Sequence, residues 1–282
     1  MSCFFSKFNN SNNSNNSNHL SHHPKVGVAI STYTEKNTEP KRYEIIEKSL
    51  DSLSKIILET KINLYVVIVV DGLIPDKHNK ILSKYNFNIY RRSNNGGVAR
   101  TKNTCIRLLL EQNVDIGFLA DDDLLYKNNC FDVYTNFICK TECHHLIASY
   151  PHKIVHPDWD KMNYILETYK GQKIRRHGGG VGYFLSFTPE LIDKIGYFKI
   201  LPNKFGSEHI NFSKRVIVMG MAEFHFDIDN SINYVEHIGF WPIKENLYGK
   251  CHSISKEQQK KSSNQNKRYV NVDLDKKIPL LE

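Results

Sequence analysis

The chain has few cysteines and no long apolar run, which argues against a disulfide-rich or a membrane-spanning protein. Its six cysteines are too few for a disulfide framework, so we expect them to be reduced thiols. The longest apolar run, Leu64 to Val70, is much shorter than a bilayer-spanning helix, and the first residues lack a signal-peptide pattern. We therefore expect no transmembrane anchor and a cytoplasmic location.

The net charge of the chain bears on which ligands it is expected to bind. The formal net charge is +8, yet no block of lysine and arginine is long enough to indicate a nucleic-acid partner, and none is expected. A basic balance of this size suits any anionic ligand, including a nucleoside diphosphate. Residues 9–18 contain only Asn and Ser and cannot form a core, so residues 1–24 are predicted to be a disordered tail.

Apolar strands and amphipathic helices alternate through the first half of the chain. The predicted strands cover residues 26–30, 64–70, 87–90 and 116–120, and predicted helices cover residues 43–57 and 98–112. The second half is less regular, with strands predicted over residues 146–150, 181–187 and 231–236 and helices over residues 189–195 and 208–219. This alternation predicts an α/β fold with a mostly parallel central sheet and helices on both faces. Ligands of such sheets bind beyond the carboxyl ends of the strands, where Thr32, Asp71 and Asp121 fall.

The most informative motif is the carboxylate triplet Asp121-Asp122-Asp123, which follows a buried strand. Carboxylates this close repel one another and raise each other's pKa unless a positive charge lies between them. Mg²⁺ and Mn²⁺ prefer oxygen ligands and often share them with substrate phosphates, so the triplet suggests a divalent cation site. A solvated acidic turn after a strand is the alternative interpretation of the triplet alone.

Four short motifs in order resemble the family 2 glycosyltransferases of the GT-A fold. They are Asn94 to Asn103, a turn leading into a helix; the acidic triplet; Gly178-Gly179-Gly180; and Phe205-Gly206-Ser207-Glu208-His209, with His237 downstream. The last two resemble motifs of the beta-1,4-galactosyltransferase-like branch. The resemblance implies a single Rossmann-like domain over residues 25–250, with a nucleotide-binding half (25–125), an acceptor-binding half (126–250) and a polar C-terminal extension (251–282).

The resemblance implies a role for each matching residue. Asp71 and Asp121 would contact the nucleotide of a UDP-sugar, and Asp121, Asp123 and His237 would bind Mn²⁺ or Mg²⁺. Glu208 and His209 would face the hydroxyl of a glycan, protein or small-molecule acceptor, one of them as general base in an inverting transfer. The remaining substrate contacts would come from Thr32, Arg100, Gly179 and Gly180.

Two departures from the family pattern leave alternatives open. His209 stands where the family has Asp, so the base is either Glu208, if its pKa is raised, or His209, and a non-catalytic nucleotide-sugar or glycan-binding protein is a second hypothesis. The metal motif is either Asp121-x-Asp123 or Asp122-Asp123. A metal-dependent nucleotidyltransferase is a third hypothesis, although the loop after the first strand lacks the glycines typical of that class.

Overall fold

A five-stranded sheet forms the centre of the protein. The computed structural model describes residues 24–148, 165–177, 182–202, 207–239 and 269–281. Its strands are β1 (Val26–Thr32), β2 (Leu64–Val70), β3 (Asn88–Arg91), β4 (Ile116–Asp121), β5 (Leu124–Tyr126), β6 (Ile165–Tyr169), β7 (Gln172–His177), β8 (Phe184–Phe187), β9 (His225–Ile228) and β10 (Val235–His237). Its helices are α1 (Pro40–Glu59), α2 (Asp76–Leu82), α3 (Val98–Glu111), α4 (Cys130–Thr141), α5 (Pro189–Ile195) and α6 (Glu208–Val218), with a 3-10 turn at Ser231–Asn233.

The order of strands in the central sheet is β3-β2-β1-β4-β8. The first four are parallel, and β8 runs antiparallel to β4. Since the chain order reverses at β1, a crevice opens beyond the carboxyl ends of β1 and β4, the usual ligand position in open α/β sheets. The register places Ser31 of β1 opposite Asp121 of β4, so both strands deliver polar side chains to this crevice.

Helices cover both faces of the sheet because the strands are apolar on both sides. In β1, Val28 and Ile30 pack with α1 and α4 on one face, whereas Ala29 packs with α3, α5 and α6 on the other. Continuous apolar runs of this kind are expected for parallel strands that are buried twice. The prediction of an α/β fold with a mostly parallel sheet and helices on both faces is confirmed.

The second half of the chain differs more from the prediction. Where a strand was predicted over residues 231–236, the chain forms a 3-10 turn that is followed by β10. Of the strand predicted over residues 181–187, Phe184–Phe187 form β8. Two small antiparallel sheets, β10-β5 and β6-β7-β9, complete this half. The helix predicted from Pro189 is present, and its N-cap Thr188 accepts a hydrogen bond from the Leu191 amide.

The C-terminal residues 269–281 pack on the domain. Asn103 of α3 donates to the Leu281 carbonyl, Asn211 of α6 donates to the carbonyls of Val270 and Val272, and the Ile278 amide donates to the Ile195 carbonyl. These contacts connect the end of the chain to α3, α5 and α6. The predicted tail at residues 1–23 and the first part of the predicted extension, residues 251–268, lie outside the described residues.

Cysteine chemistry departs from the expectation in one place. Cys105, Cys130 and Cys143 are buried free thiols, but Cys139 is disulfide-bonded, so the expectation of reduced cysteines throughout is wrong. Within the described ranges, no helix is both long enough and apolar enough to span a membrane.

Candidate functional site

Asp121 lies at the end of β4 and faces the crevice. About a third of its side chain is exposed (35%), its Oδ1 accepts a hydrogen bond from the Ser31 hydroxyl at 3.3 Å, and the Lys102 ammonium lies 3.3 Å from the same oxygen. Burial and the neighbouring carboxylates raise the pKa of Asp121 to about 6, although the charge of Lys102 acts in the opposite direction. The predicted site residue is therefore present at the crevice with a protein cation beside it.

Asp122 points into the protein and pairs with Arg42 of α1. The Arg42 guanidinium and the Thr32 hydroxyl each donate a hydrogen bond to one oxygen of this carboxylate. Burial alone would lower the pKa of Arg42, but the three carboxylates outweigh it and raise that pKa above its ordinary value. Asp122 thus has its own buried partners, which favours Asp121-x-Asp123 over Asp122-Asp123 as the ligand pattern.

Thr32 is the start of a buried hydrogen-bond chain, and its predicted contact with substrate stays a prediction. His78 of α2 lies between the hydroxyls of Thr32 (3.1 Å to Nε2) and Thr34 (2.8 Å to Nδ1). Because Thr32 donates its proton to Asp122, its oxygen accepts a hydrogen bond from His78 Nε2. In the neutral ring Nδ1 then carries no hydrogen, and the Thr34 hydroxyl donates to it. Burial and the charges of Arg42 and Arg91 lower the pKa of His78 to about 3, in agreement with that assignment.

Asp123 and His237 meet beside the triplet. The Nε2 atom of His237 is 3.4 Å from Oδ1 of Asp123, and both side chains are only about a tenth exposed (10% and 11%). Strand β10 brings His237 here because it pairs with β5, which directly follows the triplet. The backbone of Gly239 also closes on Asp123, since a Cβ atom at Gly239 would lie 1.9 Å from Oδ2.

The donor set at this point fits a hard divalent cation. Two ligands at about 2.1 Å from one Mg²⁺, at right angles, are about 3 Å apart, close to the spacing of Asp123 and His237. Such ions commonly take one or two carboxylates and complete their shell with water and substrate phosphates. In the part of the chain that the structure describes, no group of three or more His, Cys, Asp or Glu side chains forms a closed metal cage, and Asp121 faces Lys102.

Asp71 holds the turn that precedes α3. Its carboxylate accepts hydrogen bonds from the amides of Gly96 (3.0 Å) and Gly97 (2.9 Å) and from Arg92 Nε (3.0 Å). Arg92 also donates to the Thr104 hydroxyl at 2.6 Å, so the turn, α3 and the end of β2 form one unit. The structure therefore shows Asp71 as an organiser of the turn, whereas its predicted contact with the nucleotide stays a prediction.

Arg100 lies on α3 next to this turn. A Cβ atom built on Gly96 would lie 2.9 Å from Arg100 Cδ, so the arginine stem packs over the glycine. Its predicted contact with substrate stays a prediction. Gly179 and Gly180, the other predicted substrate contacts, lie outside the described residues.

Glu208 and His209 form the first turn of α6. The Oε1 atom of Glu208 is 3.6 Å from Nδ1 of His209, and the carboxylate is the more buried of the two (8% against 18% exposed). Burial would raise the pKa of Glu208, but the hydrogen bond and charge of His209 and the charge of Lys102 outweigh it and lower that pKa. Glu208 is thus ionised at neutral pH, and its pKa is not raised as the Glu208 assignment required.

Three residues that the sequence analysis did not select hold this site together. Arg42 and Lys102 neutralise the triplet from two helices, and Tyr183 accepts a hydrogen bond from the Asp121 amide at 2.8 Å and packs its ring 5.0 Å from that of His237. A signal for both cations was present. Arg42 and Lys102 occupy the buried stripes of α1 and α3, and a charged residue in such a stripe requires a buried partner.

Comparisons with known proteins agree with this architecture. The model of the family described as "Glycosyl transferase family 2" matches residues 28–202. A protein named "Uncharacterized glycosyltransferase R363", from Acanthamoeba polyphaga mimivirus, is 41% identical over 220 residues, which are 76% of this chain and 81% of the relative.

Two solved structures share the fold. One is the mannosyltransferase PcManGT from Pyrobaculum calidifontis in complex with GDP-Man and Mn²⁺ (TM-score 0.53, 15% identity, 81% of this chain). The other is S. aureus TarS 1-349 in complex with UDP-GlcNAc (TM-score 0.54, 17% identity, 84% of this chain). The chain spans 59% and 64% of these two proteins, and at such identities the similarity establishes the fold alone.

Proposed function

The chain belongs to glycosyl transferase family 2 and is a glycosyltransferase, and from that premise we propose that it transfers a sugar from a UDP-sugar to an acceptor hydroxyl with inversion, with Mn²⁺ or Mg²⁺ at Asp123 and His237. The observation that carries this proposal is the convergence of the Asp121 edge, the Asp123–His237 pair and the Glu208–His209 pair around Gly182 and Tyr183. Family membership leaves the nucleotidyltransferase hypothesis without support.

The donor side of the proposed reaction follows from charge. A bound divalent cation would neutralise the diphosphate as it leaves. Asp123 and His237 are the side chains we assign to it, and Asp121, steadied by Lys102 and Ser31, would face the nucleotide. The relatives in solved structures carry UDP-GlcNAc or GDP-Man with Mn²⁺, which supports a nucleotide-sugar and a metal without deciding between UDP and GDP.

The acceptor side needs a base on the face opposite the leaving diphosphate. The acceptor oxygen would form a bond to the anomeric carbon while the bond from that carbon to the phosphate oxygen breaks, and the acceptor proton would pass to the base. We assign the proton to His209, because the Glu208 carboxylate lies against its Nδ1, an arrangement that orients an imidazole. A single displacement of this kind inverts the anomeric configuration.

The beta-1,4-galactosyltransferase-like branch is part of the proposal. It is supported by the position of His237 beside Asp123 and of Glu208 at the start of α6, both of which match the order of motifs in that branch. The acceptor, a glycan, a protein or a small molecule, is not distinguished by these residues. The cytoplasmic location stays a prediction from the sequence.

A donor-hydrolysis screen tests the proposal. The full-length protein, with Mn²⁺ and a panel of nucleotide-sugars, should release nucleotide from one UDP-sugar, and Asp123→Ala should lower the rate at least about 100-fold because a metal ligand is lost. Asp193→Ala is the matched control, since this carboxylate is 87% exposed and pairs only at the surface with Lys277. It should retain the wild-type rate.

The other outcomes have defined meanings. Binding of a UDP-sugar without turnover would replace the transferase with the binding-protein hypothesis and would point to His209 as the cause. Equal turnover in Asp123→Ala and the wild type would remove the metal assignment. Failure to bind any nucleotide-sugar would overturn the proposed function.

A further inference from the structure

Lys102 is a buried cation inside the site. Only 2% of its side chain is exposed, because Lys102 lies on the buried face of α3. A buried ammonium is costly unless it is paired and hydrogen-bonded. Its Nζ donates a hydrogen bond to the Gly182 carbonyl and lies 3.3 Å from Asp121 Oδ1. One side chain therefore connects β4 to the backbone that enters β8.

The residues Gly182 and Tyr183, here called the bridging segment, contact both the donor side and the acceptor side of the site. The Tyr183 carbonyl accepts from the Asp121 amide at 2.8 Å, and the Tyr183 ring packs 5.0 Å from that of His237. On the other side the segment touches His209, because a Cβ atom at Gly182 would lie 2.7 Å from His209 Cγ. The donor side and the acceptor side thus meet across two residues.

We propose that Lys102 is a positioning residue that fixes the bridging segment between the Asp121 carboxylate and the His209 ring, and so sets the distance between the two sides of the site. The inference rests on the proposed transfer reaction. Lys102 does not contact substrate, since it is enclosed by protein. It acts through the position of Gly182, and a shift of reacting groups by about 1 Å can lower a rate about 100-fold.

Two substitutions disturb this arrangement from opposite ends. Lys102→Met keeps the length of the side chain but removes the charge and the hydrogen bond to Gly182. Gly182→Ala leaves Lys102 intact and adds a methyl group that forces the His209 ring to move. Each should lower kcat for sugar transfer about 100-fold, and each should change the Kd of UDP with Mn²⁺ by less than about tenfold, because neither substitution removes Asp121, Asp123 or His237.

The matched control is Arg215→Met. Arg215 is another fully buried cation, and its guanidinium donates to the carbonyls of Ile195 and Tyr197, away from the acidic edge. This variant should lower the thermal midpoint as Lys102→Met does but leave kcat per folded molecule within about twofold. A loss of kcat in Arg215→Met equal to that in Lys102→Met would reduce Lys102 to a general contribution to folding and overturn the inference.

The combination of the two site variants separates positioning from independent effects. If both act on the same segment, the Lys102→Met, Gly182→Ala double variant should be no slower than about threefold below the worse single variant. Multiplied losses would show that the residues act separately and would contradict the proposal. If Lys102→Met does not fold, Gly182→Ala carries the test alone, since its backbone conformation accepts alanine.

A readout without turnover distinguishes this inference from the proposed function. Hydrogen exchange at the Asp121 amide, which donates to Tyr183, should be faster in Lys102→Met than in the wild type and in Arg215→Met. Faster exchange in a protein that turns over no UDP-sugar would support the positioning role while the transferase assignment fails. Unchanged exchange together with wild-type kcat in Lys102→Met would overturn the inference itself.

Discussion

Residues 26–126, the first region, and the described part of residues 127–239, the second region, contribute to one site but hold its polar groups by different means. In the first region, buried cations on helices face the carboxylates at the strand ends, as Arg42 faces Asp122 and Lys102 faces Asp121. In the second region, rings pack on backbone or on one another, as His209 packs on Gly182 and the Tyr183 ring packs on that of His237.

This difference teaches where each part of the site is vulnerable. A substitution that removes one partner of a buried charge pair destabilises the fold, because it leaves an uncompensated ion in a medium of low dielectric. A packed ring is displaced when a neighbouring residue gains volume. Such a displacement moves a catalytic group without leaving a charge unpaired. Removal of the Arg42 charge should therefore chiefly affect stability, and added volume at Gly182 should chiefly affect the rate. Lys102, which joins the two regions through its hydrogen bond to the Gly182 carbonyl, should affect both.

The largest expected effect is the loss of Arg42. Arg42→Met leaves Asp122 buried with only the Thr32 hydroxyl as donor, and we expect the free energy of unfolding to fall by about 3–5 kcal/mol. Urea denaturation followed by circular dichroism measures this change. The matched control is Lys84→Met, because Lys84 pairs with Glu47 at the surface and is 54% exposed.

The control variant should change the free energy of unfolding by no more than about 1 kcal/mol. If Arg42→Met and Lys84→Met unfold at the same urea concentration, the buried ion pair is not what holds the acidic edge. A partial recovery of stability on adding Asp122→Leu to Arg42→Met would support the explanation, since the unpaired charge is then removed.

The second prediction compares one buried histidine from each region under acid conditions. Burial, with the charges of Arg42 and Arg91, lowers the pKa of His78 to about 3, and burial, with the charges of His225 and His177, lowers that of His145 to about 3 despite its hydrogen bond to the Ser186 carbonyl. Both are neutral in the folded protein and ordinary, near 6.5, in the unfolded chain. Their contribution is complete above pH 6.5 and is lost as the pH falls towards 3.

Each histidine should thus remove about 2 kcal/mol of stability between pH 7 and pH 5. The measurement is the free energy of unfolding at both pH values for the wild type, His78→Gln and His145→Gln. Each variant should lose about 2 kcal/mol less than the wild type over this interval, whatever its stability at pH 7. An unchanged pH dependence in either variant would mean that this histidine takes up no proton on unfolding.

Sequence patterns predicted the first region well because its strands are apolar on both faces and its helices carry regular stripes. That pattern placed Thr32, Asp71 and Asp121 at or just beyond the carboxyl ends of their strands, as the structure has them. The cations that neutralise the triplet were not predicted, since Arg42 is about 80 residues from Asp122 in the chain and only packing brings them together.

The second region was predicted less well because its strands are short and its contacts are long-range. β10 exists through its pairing with β5, which is more than 100 residues earlier in the chain, and no local periodicity encodes that pairing. The family resemblance selected Glu208, His209 and His237, but the contact of His209 with Gly182 depends on the missing Cβ atom of one residue. A sequence motif gives the residue types at such a site and not their packing.

The smallest expected effect comes from alanine substitutions at two glycines of positive φ, one in each region. Gly72 (φ 87°) follows β2, and a Cβ atom there would lie 2.5 Å from the Asn95 amide nitrogen, whereas Gly171 (φ 76°), in the β6-β7 turn, has no atom within 4 Å of that position. Both alanine variants adopt a strained backbone at a cost of about 1 kcal/mol, and Gly72→Ala should cost about 1 kcal/mol more because the turn held by Asp71 must move. Urea denaturation measures the free energy of unfolding of both variants, and UDP binding should weaken only in Gly72→Ala. Equal stability and equal UDP binding in the two variants would show that the two turns do not differ in how tightly they are packed.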